Sequence, residues 1–238
     1  PAAELENRLD NVLLAIYLLF NEGYNSTQHE DLIRKDLMHE AMQLCELICR
    51  SRAVDHCKAH ALMALICFTA SRNEARQDAA GNILLLKEQD RKRWNKALIE
   101  KGIFHLEASS EAEQVNKYQL EAGIAYEHAR AASYASTNWR NILKCYDLMC
   151  QFYPSPIIEL NRAIVISEIN GPAEGIKAIE AITNLSALKK YYLLPATLGE
   201  LNWQLQNNKL ANQYFAQAME LTKSAAERKL LQQKMNQH

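Results

Sequence analysis

The sequence predicts an all-α fold built of stacked helical hairpins, and three observations lead there. Only seven glycines and five prolines interrupt 238 residues, 48% of them hydrophobic, which leaves few helix breakers and enough apolar material for a sizeable core. Apolar residues recur at three- and four-residue spacing along nearly the whole chain. One spacing also repeats: Ala163 is followed by Gly175, Ile179 and Ile182, and Gly199 by Ala211, Phe215 and Ala218, at the same steps of 12, 4 and 3. A step of 12 crosses a short turn between two helices, whereas steps of 4 and 3 stay on one face. Small residues at the first two positions let helix backbones approach to the close end of the usual ~8–10 Å range. The offset of 36 residues between the two copies is the period of tetratricopeptide-like (TPR-like) units. The expected architecture is therefore a right-handed array of antiparallel hairpins in one domain over 1–238. Within it, 1–110 forms an N-terminal helical part and 115–238 the clearer hairpins, with a short irregular or extended segment near 77–89.

The elements follow in order. Leu5, Leu9, Val12, Leu13, Ile16, Tyr17 and Phe20 predict a first helix that Gly23 ends. Asp36 reads as the N-cap of a second helix through Leu37, Ala41, Leu44, Leu47 and Ile48. A third runs from Val54 to Phe68 and is apolar nearly all round, hence buried on several sides. Asp78–Asn82 reads as a turn. Trp94, Leu98, Ile99, Phe104 and Leu106 mark a fourth helix, and Tyr118 to Tyr134 a fifth. Thr137 or Asn138 caps a helix from Trp139 that Pro154 stops; Ser155 and Pro156 then supply an N-cap and a first-turn proline for the next. Asn170, Gly171 and Pro172 repeat that chemistry, and Asn207 with Asn208 forms a tight turn. Pro195, four residues before Gly199, requires a helix that starts there or bends. Arg228 to Met235 predicts a terminal helix covering the last hairpin.

Charge and composition narrow the functional classes. A formal net charge of −1 gives bulk electrostatics no preference for nucleic acid or an anionic membrane. No apolar run reaches the ~20 residues of a membrane span, so no membrane partner is expected. The six cysteines lie inside helical patterns and read as reduced thiols of a cytoplasmic protein. The chain opens on Pro1, which reads as a piece of a longer protein.

Two clusters invite chemistry. Cys45, Cys49, His56, Cys57 and His60 fall within sixteen residues, and both Cys45/Cys49 and His56/His60 stand one helical turn apart, so a zinc site is sterically conceivable. Cys45 and Cys49, however, occupy apolar positions of a buried face, and Cys57 stands where a zinc protease has its glutamate. Core packing is the better reading; no metal and no cofactor are expected. The run from Lys87 to Trp94 is basic and aromatic-flanked, suited to phosphate contact with Trp94 stacking on a base. A solvated helix with Trp94 turned into the core explains it more simply. No phosphate loop, nucleophile elbow or dinucleotide fingerprint is present, and no enzymatic activity is expected.

Three stretches, 13–24 (LLAIYLLFNEGY), 71–95 (SRNEARQDAAGNILLLKEQDRKRWN) and 137–175 (TNWRNILKCYDLMCQFYPSPIIELNRAIVISEINGPAEG), resemble one family. They look like the C-terminal TPR-like extension of a group of extracytoplasmic-function (ECF) sigma factors, initiation subunits of bacterial RNA polymerase. The resemblance implies a regulatory protein-interaction domain, its partner being its own sigma regions, RNA polymerase or a signalling protein. DNA would be bound by upstream sigma regions absent from this chain, not by this domain. Residues matching the family's motifs are Asn21, Glu22, Gly23 and Tyr24; Arg76, Asp78 and Gly81; Gln89, Asp90, Arg91 and Trp94; and Trp139, Pro154, Ser155, Pro156, Asn161, Arg162, Gly171 and Pro172. Trp139 is expected in the core, the prolines at a helix boundary and Gly171 at a C-cap. Asn21, Glu22, Tyr24, Arg76, Asp78, Gln89, Asp90, Arg91, Trp94, Asn161 and Arg162 are the interaction candidates, either lining a groove or tying a long connection to the array. The alternative is a small-ligand sensor or enzyme with a polar cleft near Tyr24, Arg76, Asp90 and Tyr118. Gln206 and Asn207 depart from the TPR pattern, which commonly has glycine there.

Overall fold

The computed structural model describes residues 2–25, 34–51, 56–112 and 114–236, with 2–7 by backbone alone. It is all-α, with eleven helices and no strand among the described residues. Five helices belong to a first compact unit: α1 (Ala2–Tyr24), α2 (Lys35–Cys49), α3 (Cys57–Ala70), α4 (Lys96–Ser109) and α5 (Lys117–Arg130). A second unit comprises α6 (Trp139–Phe152), α7 (Pro156–Asn170), α8 (Pro172–Glu180), α9 (Leu193–Gln204), α10 (Asn208–Leu221) and α11 (Ala225–Asn236), together with the turn 78–83. None of the helices is long and apolar enough to cross a membrane, among the described residues.

The first unit is organised around α3, which packs against α1, α2, α4 and α5. Its uniform apolarity is therefore matched by burial on every side: Leu62, Met63, Ile66, Cys67 and Phe68 are all buried. Gly102 on α4 lets the Phe68 ring come so close that a Cβ there would lie 2.6 Å from it. On α1 the buried stripe is Leu9, Leu13, Ile16 and Phe20, while Val12 is exposed and Leu5 lies outside the described side chains. Gly23 does not end α1. It lies inside the last turn, where a Cβ would meet the Met38 amide nitrogen at 2.8 Å, so its role is close approach to α2.

Other boundaries differ from the expectation for identifiable reasons. Asp36 does not cap α2: Arg34 holds the N-cap position, and the Asp36 carboxylate pairs with its guanidinium at 2.6 Å. The buried face of α2 is Met38, Ala41 and Cys45, a rotation that leaves Leu44 and Leu47 in solvent. Val54 lies outside the described residues. Trp94 is buried but precedes α4, following a short 3-10 turn over Arg91–Arg93; Asn95, accepting from the Leu98 amide at 3.1 Å, caps the helix instead. Phe104, on the predicted stripe, is 63% exposed. Asn116 and Gln119 form a capping box that opens α5.

In the second unit Asn138 caps α6, accepting from the Asn141 amide at 3.2 Å, and Pro154 follows its end. Trp139 is half-buried and outside the core clusters, because its place in the first turn of α6 keeps it at the rim. Ser155 and Pro156 open α7, without a side-chain cap bond from Ser155. Gly171, at φ +92°, is the single residue between α7 and α8. The two copies of the small–large spacing fall on neighbouring pairs. Ala163 and Leu160 of α7 cluster with Ile179 of α8 and with Ile182; Ala211, Phe215 and Ala218 of α10 cluster with Leu231 of α11. Gly175 abuts Ser167, and Gly199 abuts the Phe215 ring. Pro195 is the third residue of α9, so the helix starts there rather than bending. Gln206 takes φ +63° where a glycine would be commoner.

Candidate functional site

The excursion from Ser71 to Asn95 gathers most of the polar candidates, and its base is closed by the Asn95 amide donating to the Ser71 carbonyl at 2.9 Å. Two guanidinium groups from it do the same job at two helix ends. Arg76 lies over the Tyr24 ring, 3.7 Å from its centre, and donates to the Tyr24 carbonyl at the end of α1 and to Asn25 Oδ1. Arg91 lies over the Trp94 ring at 4.0 Å and donates to the His128 carbonyl in the last turn of α5 at 2.5 Å. Carbonyls of a last turn have no partner within their helix, and a cation there also meets the negative end of the helix dipole. The excursion is thus a strap that ties down the C-terminal ends of α1 and α5.

Burial first, with Arg72's like charge adding to it and Tyr24 and Tyr134 opposing it at Arg76 and Arg91 respectively, pulls both guanidinium groups below their usual range. Arg72 also faces Trp94, 5.7 Å from its ring centre. Burial, with Arg72 and Arg91 adding to it, lowers His128 to about 4, so it is a neutral imidazole at neutral pH.

The other polar candidates hold their own local turns. Asp78 accepts from the Ala80 and Asn82 amides at 2.9 and 2.8 Å and from the Asn82 side chain; these bonds, Asn82's first, hold its carboxyl below the usual range. Gly81 completes that turn at φ +78°. Gln89 donates to the Leu84 carbonyl at 3.1 Å, and Asp90 caps the 3-10 turn by accepting from the Lys92 amide. Arg91, read from sequence as an outward helix residue, is turned inward. Asn21 and Glu22 sit half-buried beside Tyr24. Of the residues expected to line a polar cleft, Tyr24 and Arg76 meet; Tyr118 packs edge-on against Tyr17 with ring centres 5.7 Å apart, and Asp90 caps its own turn. In the second unit Arg162 pairs with Asp147 at 2.6 Å and borders an open cleft of about 320 Å³ with Cys150, Glu159 and Thr183; Asn161 is half-buried on the same helix.

A second constellation lies in the first unit. Cys49 ends α2, His60 stands in the first turn of α3 and His105 in the middle of α4, and one donor atom from each falls within 4.8 Å of the others. The His60 and His105 Nδ1 atoms are 2.8 Å apart. Glu46, one turn before the end of α2, holds an oxygen 3.9 Å from His105 Nε2 and pairs with Lys101 at 2.8 Å and Arg50 at 3.2 Å. The neighbouring Cys45 thiol, and after it the His105 and His60 imidazoles, hold the Cys49 thiol below the usual thiol range. The sequence cluster is thereby sorted: Cys45 is a buried core thiol, donating to the Ala59 carbonyl at 3.5 Å, while Cys49 and His60 meet His105. His105 carried no signal in the sequence, because it lies 45 residues beyond His60 and the two meet only through packing of α4 on α3.

Residues 8–110 match the family model described as "Family of unknown function (DUF6596)". The match takes in α2, α3, α4 and the whole strap. Over 226 residues the chain is 32% identical to the uncharacterized protein R00370 of Rhizobium meliloti (strain 1021), covering 95% of this chain and 53% of that protein. The chain thus spans about half the length of the curated relative it matches. No solved structure matches it.

Proposed function

We propose that this chain is a regulatory protein-interaction domain of an ECF-type sigma factor, acting in the cytoplasm on transcription initiation. The reading starts from the resemblance of 13–24, 71–95 and 137–175 to the TPR-like extensions of such factors. The observation that carries its protein-binding part is the exposure of large aliphatic side chains on α1 and on α2. Leu14 and Leu18 are 47% and 58% exposed one turn apart on α1, and Leu47 on α2 is 66% exposed. Large aliphatic side chains left in solvent suit a protein partner. The relative of about twice the length is consistent with further regions in the same polypeptide, and we assign the sigma regions of that polypeptide as the occupant. The helix pairs of the second unit would form the TPR-like, right-handed array, with α11 closing its end. If the tail has different affinities for two arrangements of the sigma regions, that difference sets output. No catalytic step and no direct DNA contact are assigned to the domain.

The test uses the full-length factor and the separately expressed sigma regions. Leu14→Glu, Leu18→Glu and Leu47→Glu together are expected to weaken capture of the sigma regions by this domain and to shift promoter output under inducing conditions, with helicity unchanged. Undiminished capture by the triple variant, or output indifferent to deletion of the whole tail, refutes the reading.

A further inference from the structure

We propose that Cys49, His60 and His105 bind one zinc-class divalent ion, with the fourth coordination position open. The proposal is independent of the sigma-factor reading. Its basis is convergence: three of the commonest zinc donors reach one point from three different helices, α2, α3 and α4, whose mutual packing fixes their separation. A thiolate with two imidazoles favours zinc and its borderline-soft neighbours over magnesium or calcium, which require oxygen donors.

The geometry is close to that of a ligand set. Around a tetrahedral ion, nitrogen donors at ~2.0–2.1 Å and sulfur at ~2.3 Å stand roughly 3.4–3.6 Å from one another. The observed Nδ1 atoms of His60 and His105 at 2.8 Å need to part by roughly 0.6 Å, and the Cys49 sulfur, within 4.8 Å of the other donors, to close in by up to about 1 Å, both side-chain adjustments. With His105 Nδ1 toward the ion, its Nε2 faces the Glu46 carboxylate at 3.9 Å. A carboxylate behind a ligating histidine fixes its tautomer and ring plane, the usual support around such ligands. Glu46 is better placed for this than for ligation, since Lys101 and Arg50 already engage its two oxygens. His105 is 3% exposed, so its ring is held by the core, whereas His60 is only half-buried and leaves a route for entry.

The experiment titrates the reduced full chain with Co²⁺ as a spectroscopic substitute and then displaces it with Zn²⁺. The expected result is one Co²⁺ per chain, with a thiolate-to-cobalt charge-transfer band and tetrahedral d–d bands that zinc abolishes. Cys49→Ser should remove the charge-transfer band. His60→Gln, on a half-buried residue of a different helix, should weaken binding about tenfold or more while circular dichroism shows the native helicity. Cys150→Ser, in the second unit, should change neither. Absence of the bands in the parent chain, their survival in Cys49→Ser, or their loss in Cys150→Ser overturns the proposal.

Discussion

The Phe215 ring fills the space that a side chain on Gly199 would need: a Cβ there would lie 2.6 Å from both Cδ1 and Cε1 of the ring. Phe215 is buried at the centre of a cluster that α10 shares with α11, so the ring has little room to retreat. Gly199→Ala gains ~1 kcal/mol of helix propensity but forces an overpacking strain of ~1–3 kcal/mol. The expected outcome is net destabilisation in urea unfolding. Adding Phe215→Leu should shrink the penalty that the alanine carries, because the strain term disappears. Additive effects of the two substitutions would show that the close approach is not the reason for glycine.

Gly171 should respond differently. No atom lies within 4 Å of a Cβ built there, yet its backbone sits at φ +92° and ψ 164°, a region open essentially to glycine alone. Gly171→Ala is expected to cost ~1–3 kcal/mol with no neighbour to blame. No substitution in α7 or α8 should rescue it. Unchanged stability of Gly171→Ala in the same urea assay would mean the turn relaxes to another conformation.

Arg76→Met keeps much of the aliphatic stem while deleting the guanidinium that stacks on Tyr24 and bonds its carbonyl. A hydrogen bond involving a charged group is worth ~1.5–3 kcal/mol, and this one is partly buried. The variant should lose about that much. Hydrogen exchange should speed up first in the last turn of α1, while α3 keeps its protection. Uniform acceleration across the first unit would instead make Arg76 a general core element.

His128 supplies a pH test. Its native value of about 4 lies below the ordinary 6.5, so between these limits the unfolded chain binds a proton that the folded chain does not. Stability therefore rises with pH through this window and is lost as pH falls from about 6.5 toward 4. The loss is on the order of 2–3 kcal/mol over the whole window. His128→Gln should flatten the stability–pH profile between pH 4 and 6.5. A profile in the variant as steep as in the parent would assign the dependence to other groups.

Helix content was legible because it depends on neighbours a few residues away; the glycines' close partners were not, since Gly175 abuts Ser167 and Gly199 abuts Phe215 rather than Ala163 and Ala211. Spacings of 4 and 3 define a face, and a step of 12 across a tight turn defines its partner, so α7, α8, α9 and α10 could be read directly. Local competition blurred the rest. Asp36 has the chemistry of a cap but stands two residues from Arg34, whose charge claims it. Leu44 and Leu47 fit an apolar stripe, yet α2 presents Met38, Ala41 and Cys45 to the core. Such a rotation turns on which neighbour the helix meets, and periodicity alone is silent about that.

The polar residues divide along the same line. From composition and spacing one could know that the strap was a turn-rich connection bearing cations and a tryptophan. That Arg76 would reach Tyr24 across 52 residues, that Arg91 would reach His128 across 37, and that His105 would join Cys49 and His60, emerged only when the helices packed. The physical reason is range. Helix propensity, capping and hairpin pairing act within one or two turns of chain, whereas long-distance meetings of side chains are set by the positions of whole helices. Those positions are decided jointly by every buried contact in the unit, and no local stretch of residues encodes them.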